Sequence, residues 1–315
     1  MTNNQFLSDT RAMMKELRPN LNEISARNIE RKLKLVSDIL FRMRKEKVIE
    51  TCNPRKMGSK DVAAYVGYRR DYGVMDSTIN KEISMMNKVL TYVGNNAVSV
   101  YRTTAGNNLP HKYTGRKPPI EDSVVERIYR LARRTWDWYT LEGCMALIFS
   151  ISTGIRAEES RIFDVDGIHL NGNRSYVWIE KVKGAGTYGL PRIAPIMDDV
   201  EDIFKKYLKV RERMVGIHGF NGKAMFPNLR YPDRVYLSQQ SFGSLKRPVE
   251  KALGERLEIR AGRRSFGQRA LDNGQDLMDI SVAMGHMSTK TTERYYCRLG
   301  NERAVENMFR RKNGG

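Results

Sequence analysis

Cysteine is scarce in this chain, which has only three in 315 residues. Cys52, Cys144 and Cys297 lie far apart, and the sequence contains no C-x-x-C pair. This spacing argues against a disulfide framework and against a structural zinc site. It is typical of proteins from a reducing compartment, so we expect a cytoplasmic location.

Long apolar runs are also missing. The most apolar stretch, residues 144–151, is far too short to span a bilayer. No apolar segment follows a charged start near the N-terminus, so we expect no secretory signal. We therefore expect no membrane partner.

A nucleotide phosphate loop of the form G-x-x-x-x-G-K-[ST] is absent as well. The nearest fragment, GFNGKA at residues 219–224, has the wrong spacing. We expect neither a cofactor nor a bound metal ion, and no use of ATP.

Acidic residues are outnumbered, 36 against 55 lysines and arginines, which gives a formal charge of +19 and a pI of about 9.9. This balance indicates a protein that binds a polyanionic partner, usually nucleic acid. The alternative is a soluble protein that has a basic face without such a partner. Residues 1–110 hold 19 basic and 11 acidic side chains, so the excess is spread over the whole chain. We infer that both parts of a two-domain chain contact the polyanion.

The first hundred residues show the apolar periodicity of helices, over residues 22–47, 61–72 and 77–93. Basic side chains occupy the opposite sides of these helices: Arg31, Lys34, Arg42, Arg44, Arg69 and Arg70. They form either an ordinary solvated surface or a surface that faces DNA. The motifs further along the chain favour DNA binding by these six residues.

A segment rich in Gly, Asn, Pro and basic residues follows, and predicts a linker. After it, Ser123 and Glu126 have the spacing of a capping box at the start of a helix. Two β-rich runs, 176–182 and 190–196, flank a glycine-rich connection and predict a hairpin. We predict a mainly α (α+β) fold: a helical domain over 1–103, a linker over 104–119, a helix-rich domain with a small antiparallel sheet over 120–300, and a tail helix over 301–315.

Basic side chains and one tyrosine recur in the second part at motif-like positions. Arg156 lies in STGIRAEES, Lys183 precedes a glycine, and Arg260 and Arg263 are three apart. Gly285 and His286 are adjacent, and Tyr295 lies nine residues past the histidine. Such cations suit a phosphodiester whose negative charge grows during reaction, and a tyrosine suits covalent attack on it.

The order of these boxes resembles the tyrosine recombinase (integrase) family of site-specific DNA recombinases. That family has a T-G-hydrophobic-R-x-x-E box, matched here over 153–159, and a hairpin lysine before glycine, matched by Lys183. It then has H-x-x-R, a helix, Gly-His or Gly-Trp, and the tyrosine. The remaining matches are Arg263, Phe266, Gly274, Asp276, Leu277, Ile280, Gly285, His286 and Tyr295. The resemblance covers roughly residues 118–300.

The resemblance implies a role for each of these residues. Arg156 and Arg263 would bind the non-bridging oxygens of the scissile phosphate, and His286 would help position it. Tyr295 would attack phosphorus to give a 3′-phosphotyrosyl link, while Lys183 would protonate the leaving 5′-oxygen. Glu159 would hold a basic partner.

The resemblance also implies an assembly. Four protomers would act on two double-stranded DNA sites through a Holliday junction, without metal or ATP. Viral or plasmid integration and chromosome-dimer resolution both fit this chemistry.

One residue departs from the family pattern, because Arg260 stands where the family has histidine. Arginine can bind phosphate oxygens but cannot act as a base at ordinary pH. Tyr296 beside Tyr295 is a second possible nucleophile. The tail helix could dock on its own domain or on a neighbouring protomer.

Three other functions compete with recombination. A metal-dependent nuclease or transposase would use carboxylates, for which the candidates are Asp164, Asp166, Asp198, Asp199 and Asp202. A non-catalytic DNA-binding protein could share the same fold. A topoisomerase-like enzyme would share the chemistry without needing paired sites.

Overall fold

A computed structural model describes residues 4–111, 117–182, 184, 189–197 and 200–295, apart from the side chains of 173, 294 and 295. The chain divides into two compact units, Met1–Gly115 and Arg116–Gly315. In the described ranges, no helix combines the length and the apolar character that crossing a membrane requires.

The described part of the first unit is entirely helical. Its α-helices are α1 (Gln5–Leu17), α2 (Glu23–Lys45), α3 (Ser59–Asp71), α4 (Asp76–Tyr92) and α5 (Ala97–Thr104), and short 3₁₀ turns follow α1 and α5 at Arg18–Asn20 and Gly106–Asn108. The side chain of Asn22 caps α2, accepting from Ser25 N at 2.8 Å. Leu33, Val36 and Leu40 of α2 are fully buried, as the helical spacing predicts.

A buried carboxylate joins α3 to α4 in this unit. Glu82 is 6% exposed, and it accepts a hydrogen bond from Tyr65 OH at 3.0 Å. Arg69 grips both of its oxygens, at 2.8 and 2.7 Å. Burying the carboxylate is therefore offset by charge pairing and by hydrogen bonds.

The second unit is mostly helical and contains one small sheet. Its described helices are α6 (Asp122–Arg134), α7 (Trp138–Thr153), α8 (Ala157–Arg161), α9 (Glu201–Ile217), α10 (Gln239–Ser244), α11 (Arg247–Leu253), α12 (Ile259–Asp272), α13 (Leu277–Met284) and α14 (Thr289–Tyr295). Its strands are β1 (Ile168–His169), β2 (Tyr176–Ile179) and β3 (Arg192–Pro195). This architecture confirms the predicted fold class.

The sheet is antiparallel in the order β1-β2-β3. Val177 and Ala194 are paired and buried, whereas Trp178 and Ile193 are paired on the exposed face. The predicted hairpin therefore forms, with shorter strands than the sequence indicated. Strand β1 was not predicted, because two residues are too few to show an alternating pattern.

The predicted capping box at the start of α6 is wrong. A capping serine must lie just outside its helix, but α6 begins at Asp122 and Ser123 is already inside its first turn. Glu121 is the N-cap and makes no capping hydrogen bond through its side chain. The acidic side chain of Asp122 at the first helical position favours the helix N-terminus instead.

The buried helix α7 is the centre of the second unit, and α12 packs closely against it. A Cβ added to Gly262 of α12 would lie 2.9 Å from Ser150 Cβ of α7. A Cβ added to Gly143 at the other end of α7 would lie 2.3 Å from Leu245 O. Glycine at position 262 lets the α12 backbone approach the end of α7, and glycine at position 143 lets the chain after α10 approach α7.

Glu142 of α7 is a buried acid without a full set of partners. It is 4% exposed, and its Oε1 has no hydrogen-bond partner in the part of the chain that the structure describes. Burial raises the pKa of Glu142 to about 8, against a smaller lowering by the charge of Arg211. Arg211 donates to the backbone oxygens of Ala224 and Gly222, so its hydrogen bonds are directed elsewhere.

We expect the stability of the second unit to fall as pH rises from about 4.5, the ordinary value for Glu142, to its folded pKa of about 8. Over this range the folded state keeps a proton that the unfolded state has lost, so one group contributes a slope of about −1.4 kcal/mol per pH unit. The Glu142→Gln variant has no carboxyl group at this position and therefore lacks this contribution to the pH dependence. Its free energy of unfolding relative to wild type should therefore rise between pH 5 and pH 8.

Denaturant unfolding of both proteins across that pH range measures this difference. A parallel pH dependence for the two proteins would show that Glu142 is ionised in the folded state. The Glu126→Gln variant is a control, because Glu126 is an exposed acid on the neighbouring helix α6.

Candidate active site

The turn after α7 presents the first of the predicted catalytic residues. Gly154 ends α7 with φ +65°, a left-handed conformation that favours glycine. A Cβ at this position would also lie 2.5 Å from the ring of Phe266 on α12. Gly154 therefore both reverses the chain and lets α12 approach, and Arg156 follows as the N-cap of α8.

Arg156 and Glu159 bind each other at the start of α8. The Glu159 carboxylate accepts from Arg156 Nη1 at 2.8 Å and from Arg156 N at 3.1 Å. Arg156 Nη2 donates to Gly285 O at 2.7 Å, far along the chain. The side chain of Arg156 is still 27% exposed, so its guanidinium is accessible to a ligand.

Arg263 connects the same two turns from α12. It is 4% exposed, and its guanidinium donates to Gly154 O and, at 2.6 Å, to Met284 O. Its Nη2 also lies 2.8 Å from Nε2 of His286. Arg263 thus joins the turn after α7 to the turn after α13. Helix α13 ends at Gly285, which has φ +65°.

These contacts place cations at the C-terminal ends of two helices. Backbone oxygens there have no partner within the helix, and the helix dipole is negative at this end. Gly154 O and Met284 O receive Arg263, and Gly285 O receives Arg156. The helix ends therefore attract the guanidinium groups without removing their formal charge.

His286 is held as a neutral ring in this arrangement. Since arginine can only donate, Nε2 of His286 must accept from Arg263, and Nδ1 must carry the proton towards Thr292 Oγ1 at 2.7 Å. Burial, together with the charges of Arg263, Arg156 and Arg192, lowers the pKa of His286 to about 3. Both ring nitrogens are therefore engaged inside the protein.

Arg192 belongs to the same cluster, although the sequence analysis did not single it out. It lies at the start of β3, is 10% exposed, and donates to Glu159 Oε2 at 2.7 Å and Oε1 at 3.3 Å. Its Nε lies 3.3 Å from Ala283 O near the end of α13. The available signal was a lone arginine at the start of the second strand of the predicted hairpin.

Glu159 is the shared anion of the cluster and is 1% exposed. Burial alone would raise the pKa of Glu159, but the hydrogen bond and charge of Arg192 and then those of Arg156 lower it to about 2. The carboxylate is ionised at neutral pH and binds two arginines at once.

Three further predicted catalytic residues are Arg260, Lys183 and Tyr295. Arg260 is exposed in the first turn of α12, one turn before Arg263. Lys183 lies outside the described residues, as does Tyr296. Tyr295 is the last residue of α14, and its backbone follows Thr292, the partner of His286, by one turn. The side chain of Tyr295 lies outside the description.

The other lysine of the hairpin is engaged elsewhere. Lys181 Nζ contacts Asp164 Oδ2 at 2.5 Å and also the hydroxyl of Tyr236. Lys223 pairs with Asp166 at 2.5 Å, and Arg133 pairs with Asp202 at 2.8 Å. In the structure as described, no group of three or more His, Cys, Asp or Glu side chains could hold a metal ion. Asp198 and Asp199 lie outside this part of the chain.

The six basic residues predicted to bind DNA differ in their surroundings. Arg31, Lys34 and Arg42 are exposed on α2, and Arg44 is half-buried with Nη1 3.9 Å from Cys52 Sγ. Arg69 holds Glu82, as described above, and Arg70 binds Asp76 at 2.9 and 3.0 Å. Arg69 and Arg70 are engaged in ion pairs within the fold. The basic side chains of α2 are therefore more available to a ligand.

Comparison with known proteins shows where this chain belongs. Residues 120–302 match the phage integrase family. Among curated proteins, the chain is 24% identical over 250 residues to tyrosine recombinase XerC of Herpetosiphon aurantiacus, covering 78% of this chain and 77% of that one. It is 25% identical over 163 residues to XerC of Rickettsia canadensis, covering 50% and 48%.

Solved structures show the same fold. XerH site-specific recombinase bound to a palindromic difH substrate aligns with a TM-score of 0.67 and 16% identity, covering 94% of this chain and 82% of that one. A lambda integrase dimer bound to a COC′ core site aligns with a TM-score of 0.65 and 15% identity, covering 93% and 96%. The family match spans more than half of the chain, and it includes the cluster formed by Arg156, Glu159, Arg192, Arg263 and His286. The chain therefore belongs to the phage integrase family, the tyrosine recombinases, which are DNA-cleaving and DNA-rejoining enzymes.

Proposed function

We propose that this chain is a site-specific recombinase that cleaves and rejoins duplex DNA through a 3′-phosphotyrosyl intermediate on Tyr295. The observation that carries the proposal is the convergence of Arg156, Arg263 and His286 on the turns that end α7 and α13. A cluster of fixed cations beside the helix that carries Tyr295 suits attack on a phosphodiester.

The two arginines would bind the non-bridging oxygens of the scissile phosphate. Guanidinium groups match phosphate geometry and stay charged at any working pH. Negative charge on these oxygens increases as phosphorus becomes five-coordinate, so fixed cations stabilise the transition state more than the ground state.

The reaction would exchange one phosphoester for another. The Tyr295 oxygen forms a bond to phosphorus while the bond to the 5′-oxygen breaks, and Lys183 gives its proton to that leaving oxygen. The ester keeps the energy of the broken bond, so rejoining needs no ATP. In this scheme, a 5′-hydroxyl later attacks the phosphotyrosyl link and releases the tyrosine.

His286 and Arg260 would support this step in different ways. In the described geometry, His286 accepts from Arg263, which supports a role in orienting that guanidinium beneath the phosphate. Arg260, exposed one turn before Arg263, would add a phosphate contact in place of the family histidine. A permanently charged arginine cannot take the phenol proton, so water would have to accept it.

Both units would contact DNA, the first as a core-binding domain and the second as the catalytic domain. The structures of XerH and lambda integrase named above contain DNA, and the lambda integrase structure is a dimer. We propose that this chain acts as a tetramer on two sites and passes through a Holliday junction. The segment 301–315, which could mediate such contacts, lies outside the described residues.

We expect Tyr295→Phe to abolish covalent capture of DNA while leaving non-covalent binding intact, because only the nucleophilic oxygen is removed. The substrate is a library of nicked duplexes with a randomised core, so that cleavage traps the protein on the DNA. Adducts that resist detergent are isolated with EDTA present, and their DNA is sequenced to identify the site.

Tyr296→Phe is the matched control and should still form the adduct. Adduct formation by Tyr295→Phe but not by Tyr296→Phe would assign the nucleophile to Tyr296. Capture that requires a divalent cation would contradict the proposed chemistry. Relaxation of plasmids that lack the selected site would favour a topoisomerase-like activity.

Removing two exposed cations from α2 should weaken DNA binding and its dependence on salt. Arg31 and Lys34 belong to no ion pair within the described residues, so each can neutralise a phosphate. The double variant Arg31→Gln/Lys34→Gln should reduce the log–log salt slope of binding by about 2, roughly 1 for each contact. Fluorescence anisotropy with the selected duplex measures this slope.

Arg27→Gln is the control on the same helix, because Arg27 already pairs with Glu23 at 2.8 Å. We expect a smaller change in slope for this variant. If loss of Arg27 alone reduces the slope as much as loss of Arg31 and Lys34 together, general charge rather than contact by α2 determines binding.

A further inference from the structure

The cluster contains a third arginine, Arg192, which is largely buried and belongs to none of the predicted motifs. Arg192 is 10% exposed, whereas Arg156 in the same cluster is 27% exposed. Both bind the Glu159 carboxylate, which is itself 1% exposed. Arg192 binds the carboxylate through Nη2 and Nη1, whereas the guanidinium of Arg156 binds it through Nη1 alone, so the same anion engages the two arginines differently.

We propose that Arg192 is a positioning residue for strand cleavage: by sharing the Glu159 carboxylate, it prevents this carboxylate from neutralising Arg156, and so keeps Arg156 available to the scissile phosphate. This inference rests on the proposed function, because it assigns a residue to the same cleavage step.

The division of the carboxylate between the two arginines supports this role. Arg192 takes Oε2 at 2.7 Å and reaches Oε1 at 3.3 Å, while the side chain of Arg156 takes Oε1 at 2.8 Å. A buried carboxylate attracts a guanidinium most strongly through two parallel hydrogen bonds. Since Arg192 and the main-chain N of Arg156 both donate to Oε2, the guanidinium of Arg156 binds the carboxylate through Nη1 alone and directs Nη2 to Gly285 O at 2.7 Å.

The net charge of the cluster also supports this role for Arg192. Arg156, Arg192 and Arg263 supply three positive charges, Glu159 supplies one negative charge, and His286 is neutral. Two positive charges remain for a phosphate that carries one negative charge before attack and more in the transition state. Without Arg192, the excess would fall to one, and the Glu159 carboxylate would have the guanidinium of Arg156 as its remaining partner in the cluster.

The backbone fixes Arg192 in this place. Its strand β3 pairs with β2 through Ile179, and its Nε lies 3.3 Å from Ala283 O. A Cβ added to Gly285 would lie 2.8 Å from Arg192 Cδ and Nε, so the arginine packs directly against this glycine. Arg192 therefore also supports the carbonyl that holds Arg156.

A double-mutant cycle separates positioning from a purely structural role. Arg192→Gln should slow adduct formation on the selected suicide duplex by about 100-fold, the typical effect of a small misplacement of a reacting group. Arg192→Lys should be intermediate, because it keeps the charge but loses the paired hydrogen bonds. In the Glu159→Gln background, Arg192→Gln should change the rate by less than about threefold, since the anion that it restrains is gone.

Melting temperature and non-covalent DNA affinity are measured for every variant, and Arg213→Gln, on the exposed surface of α9, is the control for loss of charge. If Arg192→Gln does not fold, the comparison of Glu159→Gln with the double variant decides. Equal losses in both backgrounds, or a wild-type rate for Arg192→Gln, would overturn the inference. Absence of any adduct with wild type would instead overturn the proposed function.

Discussion

The site depends on guanidinium groups that are held against backbone carbonyls at the ends of two helices. Like charges repel, and a cluster of arginines without counter-charges would not stay ordered. Gly154 O and Met284 O receive Arg263, and Gly285 O receives Arg156. Helix C-termini stabilise cations through their dipoles and their unpaired oxygens. The fold therefore fixes the positive charge in place, which is the arrangement that the proposed electrostatic catalysis would require.

Much of the second unit serves this arrangement. Gly154 and Gly285 end α7 and α13 in left-handed conformations, and each also allows a close contact, with the Phe266 ring and with Arg192 respectively. Gly262 lets α12 lie against α7, which carries Arg263 to the turn after α7. These glycines act through the backbone, and their replacement would move the cations that these turns and this helix contact position.

The sequence predicted the elements of the fold better than their connections. The 3.6-residue apolar period predicted α2 and α4, because each of these helices buries one face. It did not reveal β1, which is too short for a pattern, and it placed a cap at Ser123 where the helix had already begun. It also could not distinguish Arg69 from Arg31, since both are arginines on a helix. Only the fold shows that Arg69 meets a buried acid, Glu82.

The same limit applies to the site. Arg156, Arg263, His286 and Glu159 were identified through their motif spacing, and they meet in the structure. Arg192 was missed because its partners Glu159 and Ala283 are distant along the chain, so no local pattern reports the contact. An ion pair of this kind is specified by packing rather than by spacing. The motif therefore identifies groups that could contact a substrate. A group such as Arg192, which binds the buried Glu159 and not a substrate, is found only from the folded structure. In the function proposed for this chain, such a group would matter alongside the contacts themselves, because a buried acid paired with Arg156 alone would reduce the positive charge offered to a phosphate.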